Sequence, residues 1–491
     1  MCLRMPVVPK RRCNLSCLLF FGLIILISGV CLLFLTPTIM KCILESKLGM
    51  SPNSKVFNIW KKSDGSTFME IFFHNWTNPG DGHDPTVKPK FEEIGPFRFR
   101  EFKEKLDVSW NDDETISYKQ KKKWIFDRNS SCCSLSTKLT TLNAVLVTMS
   151  HKSKDWSFPF KSGINLALKA LTPNLYVTRN ASELLFEGYV DPLLEMSTLF
   201  PVKSVSPDGK FGWFYGKNDS AGLDGKLKID VSAGGKGTMK TWNGFPETKY
   251  FKGLCSKVLG SNGEIYPPGR TRDKALFFSP DMCRSVTLDY EKDIKVHGIT
   301  GYKYIAHKSM LDNGSLVPEN ECFCNGMCMP SGVLNMSSCR HDSPSFISLP
   351  HFLHADPMYV HSLDGIIPER DRHQFFVVLE PNTGLPLKVA ARIQLNMHLK
   401  PIDYMTLIND VPNVMFPILW FQVQAEASNE FASQLKMLFS LPIVFKSIAA
   451  VLLTIGPLIT TYALYGKRRD RELANIEERE QVPLKISKIV N

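Results

Sequence analysis

Acidic residues are missing from the first 40 positions of this 491-residue chain, and no charge of either sign falls between Cys13 and Met40. A second stretch without charge lies between Lys446 and Lys467. These absences exclude a solvated surface for either segment. At ~1.5 Å of helix rise per residue, about 20 residues cross a hydrocarbon core of roughly 30 Å, so each segment can span a bilayer once. Also missing are the nucleophile elbow Gly-x-Ser-x-Gly, the zinc motif His-Glu-x-x-His and the phosphate loop Gly-x-x-x-x-Gly-Lys-Ser/Thr. Gly234-Gly235-Lys236-Gly237 ends in glycine where the phosphate loop needs a hydroxyl. An enzyme with one of those chemistries is therefore not expected, nor is a cofactor.

What is present sets a topology. Arg4, Lys10, Arg11 and Arg12 precede the first apolar run, and Lys467, Arg468, Arg469 and Arg471 follow the second. Basic flanks stay cytoplasmic, so both tails are expected inside and the middle outside or in a lumen. The first run exceeds the roughly 7–15 residues of a signal-peptide core, and Pro37 and Thr38 precede no small-residue cleavage site. An uncleaved anchor is the expectation. The division is a tail at 1–12, a span at 13–40, an ectodomain at 41–440, a span at 441–466 and a tail at 467–491. No repeat or low-complexity linker divides the middle, so it reads as one ectodomain.

Six Asn-x-Ser/Thr triplets, at Asn75, Asn129, Asn180, Asn218, Asn313 and Asn335, mark that middle as a glycosylated surface. The formal net charge is +11, of which residues 1–40 hold +4 and residues 467–491 hold +2. The ectodomain keeps only a modest excess, which is no nucleic-acid signature but suits acidic surfaces and anionic headgroups. Of 13 cysteines, Cys2, Cys13 and Cys17 lie where a cytoplasmic membrane face would expose them to S-acylation. Cys255, Cys283, Cys322, Cys324, Cys328 and Cys339 form an even group that reads as three disulfides, with 15 connectivities open. Cys132 and Cys133 stand apart. Adjacent cysteines pair with each other only under strain, so bonding elsewhere, bonding between chains and free thiols all stay open.

Antiparallel strand dominates the ectodomain. From Leu387 to Lys400, Leu387, Val389, Ala391, Ile393, Leu395, Met397 and Leu399 alternate with mostly polar residues, which predicts one face on a core and one on polar surroundings. Pro381-Asn-Thr-Gly384 turns Phe375–Leu379 into that strand. Leu106–Trp110 and Ile116–Phe126 flank Asn111-Asp-Asp-Glu114 likewise, and Phe68–Trp76 and Tyr302–Ile305 are further strand candidates. Helical spacing falls at 141–150 and about 163–199, separated by a polar loop from His151 to Trp156, and predicts a cap over the sheet. Lys119, Lys121, Lys122 and Lys123 read as a surface run on a strand. His351, His354 and His361 could be drawn as a metal site, but no acid or cysteine has a matching spacing, so no metal is expected.

Several stretches, taken in order, carry a resemblance. They are Ile71-Phe-Phe-His-Asn-Trp-Thr-Asn78, Phe91-Glu-Glu-Ile-Gly-Pro-Phe97, Glu183-Leu-Leu-Phe-Glu-Gly-Tyr-Val-Asp-Pro192, Cys283-Arg-Ser285 and Cys322-Phe-Cys324. Ser348-Leu-Pro-His-Phe-Leu-His-Ala-Asp-Pro357 and Leu379-Glu-Pro-Asn-Thr-Gly384 complete the set. From about residue 55 to 425, and in both anchors, the chain resembles the class B scavenger receptors, a family of fatty-acid and lipoprotein receptors, lysosomal membrane receptors and insect phagocytic receptors.

The resemblance implies an α+β fold: a β-rich, antiparallel, barrel-like ectodomain with a helical-bundle cap at about 141–199 and an internal apolar tunnel. It implies the pairs Cys255–Cys322, Cys283–Cys339 and Cys324–Cys328. It also implies ligand capture at the cap, where Lys152, Lys154, Lys161 and Lys169 lie, Lys169 being within a residue of the family's ligand-proximal lysine. The implied partners are lipids, fatty acids, lipoproteins or anionic phospholipid surfaces, with lipid passing through the tunnel to the membrane; a phagocytic or adhesion receptor that moves no lipid is the alternative. Plasma membrane is the expected location. In the tail, Glu480-Gln-Val-Pro-Leu484 approaches an acidic dileucine lysosomal signal, but Lys485 stands where its second apolar residue belongs. An endosomal or lysosomal membrane is the alternative. Neither span holds Gly-x-x-x-Gly, and a homo-oligomer is left open.

Overall fold

The computed structural model describes residues 10–172, 174–198, 208–324 and 326–486. Among them the helices are α1 (Lys10–Leu48), α2 (Lys55–Lys61), α3 (Ala144–Ser153), α4 (Phe158–Leu171), α5 (Pro192–Thr198), α6 (Pro357–His361), α7 (Arg370–His373) and α8 (Asn429–Ile486). The first strands are β1 (Thr67–Trp76), β2 (Phe91–Asn111), β3 (Thr115–Phe126), β4 (Lys138–Leu142), β5 (Tyr176–Asn180), β6 (Tyr189–Val190), β7 (Lys210–Phe211), β8 (Lys226–Asp230) and β9 (Met239–Trp242). There follow β10 (Lys274–Ser279), β11 (Arg284–Val296), β12 (Ile299–Ile305), β13 (Val333–Asn335), β14 (Ser345–Ser348), β15 (Phe376–Leu379), β16 (Pro386–Leu399) and β17 (Val414–Glu426). They fall into two units, Leu48–Ser428 and the terminal segments that hold α1 and α8.

In the first unit one antiparallel sheet runs β10-β11-β12-β15-β16-β17-β1-β2-β3-β8-β9, with β13 and β14 joined beside β16. Its two end strands are bridged by one short segment. Met239 donates to the Gly260 carbonyl at 2.8 Å, and Ser261 N–H donates to the Leu276 carbonyl at 2.9 Å. That link nearly closes the sheet into a barrel, leaving little free edge to pair with another chain. The hairpins expected around 111–114 and 381–384 are present as β2–β3 and β15–β16.

Two local expectations change. On Leu387–Lys400, Leu387 and Ile393 are buried as read, but Val389 and Ala391 are only partly so, and Ala390, Gln394, Asn396 and His398 of the other face are buried as well. Their polar face is not solvated: Gln394 bonds His74 and the His351 backbone, and Asn396 bonds Ser348. The helical cap is also shorter than 141–199. Tyr176-Val-Thr-Arg-Asn180 is rich in residues that fit a pleated surface and pairs with Lys138–Leu142 instead. Helix persists as α3, α4, one wide turn at Glu183–Glu187, and α5. His151, Lys152 and Ser153, expected in a loop, complete α3.

Disulfides join Cys255 to Cys322, Cys283 to Cys339 and Cys324 to Cys328. Cys132 and Cys133 are bonded to each other, the option that their adjacency made least expected.

In the second unit, α1 and α8 lie antiparallel, in contact through small residues. A Cβ at Gly22 would lie 2.6 Å from Thr460 Oγ1, and one at Gly456 2.8 Å from Leu26 N. Gly22, Gly29 and Thr36 recur every seven positions, as do Ala449, Gly456 and Ala463. A heptad keeps small residues on one face, so two backbones approach closely without Gly-x-x-x-Gly. Both helices outrun the spans expected from charge alone, starting at Lys10 and Asn429.

Candidate functional site

The inner face of the barrel holds a cavity of about 620 Å³. Alternation places its walls: Met69 from β1, Trp124 from β3, Ile393, Leu395 and Met397 from β16, and Phe421 and Val423 from β17. Helix α3 covers part of it. Ala144, Val145, Thr148, Met149 and Lys152 all line the space, and positions three and four apart share a helix face. Asn143 caps that helix by accepting from Leu146 N–H at 3.1 Å, which fixes where the face begins. The aromatic run Phe211 to Tyr215 closes another side.

The cavity is not wholly apolar. Five bases and three acids stand among its lining residues. Along β3, Tyr118 and Trp124 are buried and share a face with Gln120 and Lys122. Lys122 is therefore not on the surface, where the lysine run was expected to lie. Its Nζ lies 3.0 Å from Asp224 and 3.6 Å from Asp281. Lys122 chiefly holds the Asp281 carboxyl at about 2, although that side chain is 65 % exposed. Lys217 and Arg340 stand in the same field; burial first, then repulsion from Arg340, brings the Lys217 ammonium down to about 8.

The four cap lysines are divided between α3 with its C-cap and α4. Lys152 lines the cavity, while Lys154 lies 3.9 Å from Asp155. Lys161 and Lys169 sit on α4, Lys169 exposed. Sequence reasoning missed what accompanies them. Helix α4 buries only Leu168 among its 14 residues, and Phe158 and Phe160 are 67 % and 69 % exposed. Trp156, Leu166 and Tyr404 are exposed too, with the Tyr404 ring 6.1 Å from Phe158. Asn165 ties α4 to this loop by accepting from Thr406 N–H at 2.9 Å. The loop joins β16 to β17, and β17 then runs 13 residues, about 40 Å, before Glu426. The patch thus lies at the end of the sheet remote from Ser428, where the chain leaves this unit.

A second polar centre lies inside the barrel wall. Glu93, His351 and His373 offer ligand atoms within 4.8 Å of one another, and the His351 ring stacks on His373 at 4.3 Å and meets His74 at 4.9 Å. His354, by contrast, bonds Gln374, and His361 is exposed at the end of α6. A metal does not suit the hydrogen bonding here. His351 Nδ1 accepts from Ile367 N–H at 3.0 Å and His373 Nδ1 accepts from Glu369 N–H at 2.9 Å. Each ring must then carry its proton on Nε2, the atom a cation would need. His351 Nε2 donates that proton to Glu93 at 2.7 Å, and Trp420 Nε1 donates to the same carboxylate at 2.8 Å. Burial opposes the Glu93 charge, but those two bonds together with attraction to nearby positive charge, Arg372 included, hold the carboxyl at about 2.

Asn129 and Asn218 are exposed, and Asn75, Asn180 and Asn313 partly buried. Asn335 is buried in β13 with its side chain accepting from Ser337 N–H. Cys17 is exposed on α1; Cys2, the Cys13 side chain and the side chains of Glu480–Leu484 lie outside the described residues.

A nearly closed antiparallel barrel over a cavity, between two terminal apolar helices, matches one sequence family along nearly the whole chain. The profile of the CD36 family covers residues 20–466. The chain belongs to the CD36 family. Within it, Protein peste of Drosophila melanogaster is 34 % identical over 460 residues, covering 92 % of this chain and 82 % of its own. Scavenger receptor class B member 1 of Bos taurus is 28 % identical over 477 residues, 95 % and 91 % of the two chains. Lysosome membrane protein 2 of Rattus norvegicus is 31 % identical over 429 residues, 84 % and 86 % of the two. The CD36 family assignment makes this chain a class B scavenger receptor, and its two terminal helices fit a two-pass membrane protein.

Proposed function

We propose that this receptor captures lipid-bearing particles at its basic, aromatic-studded helical cap and passes their lipid through the barrel cavity to the membrane. The observation that carries the proposal is the 620 Å³ space walled by apolar strand residues. An apolar chain costs about 0.8 kcal/mol per CH₂ in water, so an enclosed path lowers the cost of leaving a particle. Lipid moving down its gradient needs no nucleotide site. At the cap, Lys161 and Lys169 supply positive charge for anionic ligands, and the exposed aromatics supply apolar contact. We place the receptor at the plasma membrane with both termini in the cytosol. The exposed Asn129 side chain is the best of the six acceptors for a glycan, since the Asn218 amide is engaged by the Trp124 backbone.

Thr148 lines the cavity from α3, which makes Thr148→Trp an obstruction inside it. Cells making this variant, given particles that carry a labelled lipid, should bind particles normally but take up at least about tenfold less lipid. Unchanged transfer would favour an adhesion receptor that moves no lipid.

A further inference from the structure

Of the four disulfides among the described residues, three are built into the core. Cys255, Cys283 and Cys324 are each buried, and their partners lie 67, 56 and 4 residues away. The fourth is different: Cys132 is exposed, Cys133 is half-buried, and no residue separates them. Their Cα atoms stand 3.8 Å apart, as any two neighbours do, whereas disulfides ordinarily hold them at roughly 4.4–6.8 Å. Adjacency alone therefore closes a ring that works against the bond. Nor does the fold protect it. A fold stabilises a crosslink only as far as the crosslink stabilises the fold, and one between neighbours restrains almost nothing in the unfolded chain. The surrounding segment is held without the sulfurs. Cys132 N–H donates to the Pro96 carbonyl at 3.0 Å, and Ser131 Oγ accepts from Arg98 N–H at 2.9 Å. Ala181 N–H donates to the Thr137 carbonyl at 2.9 Å, and Ser182 N–H to that of Leu135 at 3.0 Å. None of these bonds needs the ring closed, so β4 and the α3 helix it leads into stay anchored when the ring opens.

We propose that Cys132–Cys133 is a redox-active site that exchanges with a thiolate reductant while the fold stays intact, the other three disulfides being structural. A thiolate attacks the exposed Cys132 sulfur. The S–S bond breaks, a mixed disulfide forms at Cys132, and the electron pair leaves on the Cys133 sulfur, which takes a proton. A second thiolate attacks the outer sulfur of the mixed disulfide and releases Cys132. In sum, two reductant thiols become one disulfide, and the receptor gains two electrons and two protons as a pair of neighbouring thiols. When no second thiol arrives, Cys133 reverses the first step, so the mixed disulfide is short-lived. A small thiol and the dithiol of a protein offer the same attacking sulfur. The reduced pair is a soft, bidentate ligand, suited to thiophilic ions and trivalent arsenicals.

The test uses the full-length receptor in lipid nanodiscs, equilibrated with graded mixtures of reduced and oxidised glutathione. Free and bonded cysteines are then alkylated with distinguishable labels and read by mass spectrometry. Cys132–Cys133 should be half reduced at a glutathione ratio (reduced squared over oxidised) roughly hundredfold lower than Cys283–Cys339 needs. It should open before any of the other three bonds, with the melting transition still cooperative. That form should bind one equivalent of phenylarsine oxide, and the double variant Cys132→Ser, Cys133→Ser none. Cys133→Ser, which leaves the exposed thiol without its neighbour, should accumulate the glutathione adduct that wild type sheds. Thioredoxin in place of glutathione forms a second arm, and the faster of the two identifies protein dithiol or small thiol as the source. Reduction together with or after the other bonds overturns the assignment, as does a Cys133→Ser thiol that takes up no glutathione. A pair that stays as thiols in oxidised glutathione alone overturns it as well.

Discussion

His351 has φ near 52°, in the left-handed region that side chains other than glycine rarely adopt, and Phe352 and His354 share it. Such backbone persists where its surroundings over-determine it. Here they do: Gln394 accepts from the His351 backbone, Glu93 holds its Nε2, and Ile367 N–H fills its Nδ1. The cost of this buried polar centre shows in its neighbours. Burial chiefly brings His74 down to about 3, and burial chiefly brings His373 to about 3. Both are therefore neutral in the fold, whereas the unfolded chain takes up protons near the ordinary histidine value of 6.5. Stability must fall as pH drops from about 6.5 toward 3, by about 1.4 kcal/mol per pH unit for each ring well below 6.5. Glu93 adds nothing in most of that window, since its depressed value keeps its contribution until pH falls from about 4.5 toward 2. His74→Gln should flatten the decline of melting temperature between pH 6.5 and 4.5. An unaltered slope would mean that His74 is not held neutral. None of this was legible in the sequence, because Glu93, His351 and His373 lie far apart along the chain.

Secondary elements were easier to read where one face meets a uniform medium. β3 and the hairpin into β2 have turn residues at the expected place, and alternation carried them. Alternation could not say which face was inward, so Lys122 passed for one more surface lysine until Asp224 and Asp281 were found beside it. Helix α4 shows the opposite failure. Its apolar spacing suggests a buried stripe, yet Phe158, Phe160 and Leu166 stay exposed and only Leu168 is buried. Replacing Phe158 and Phe160 together by serine should change stability by no more than about 0.5 kcal/mol per site, as befits exposed positions. Capture of lipid-bearing particles by cells should nevertheless drop several-fold at equal surface expression. Normal capture would leave the patch without a role. In the anchors, the seven-residue recurrence of Gly22, Gly29 and Thr36 was readable, but only its match with Ala449, Gly456 and Ala463 gives it meaning.

At the scale of the molecule, the disulfides differ in what they restrain. Cys283 and Cys339 lie 56 residues apart, whereas Cys132 and Cys133 are adjacent. A crosslink stabilises largely by limiting the unfolded chain, and the gain grows with loop length. Replacing Cys283 and Cys339 by serine should cost about 4 kcal/mol, and replacing Cys132 and Cys133 about 1 kcal/mol or less. Melting temperatures of the two double variants measure the contrast, and equal losses would refute it. What the sequence determined on its own is the division of the chain: charge-free runs cannot rest in water, basic flanks resist crossing a bilayer, and alternation with turn residues makes strands. These are local properties, written within one or two turns of chain. Only the tertiary structure decided that the sheet nearly closes through Ser261, that α3 lies over the resulting cavity, and that Lys122 meets Asp224 and Asp281 there. Each of those depends on residues 15 or more positions apart meeting in space, and burial and charge pairing exist only after they meet.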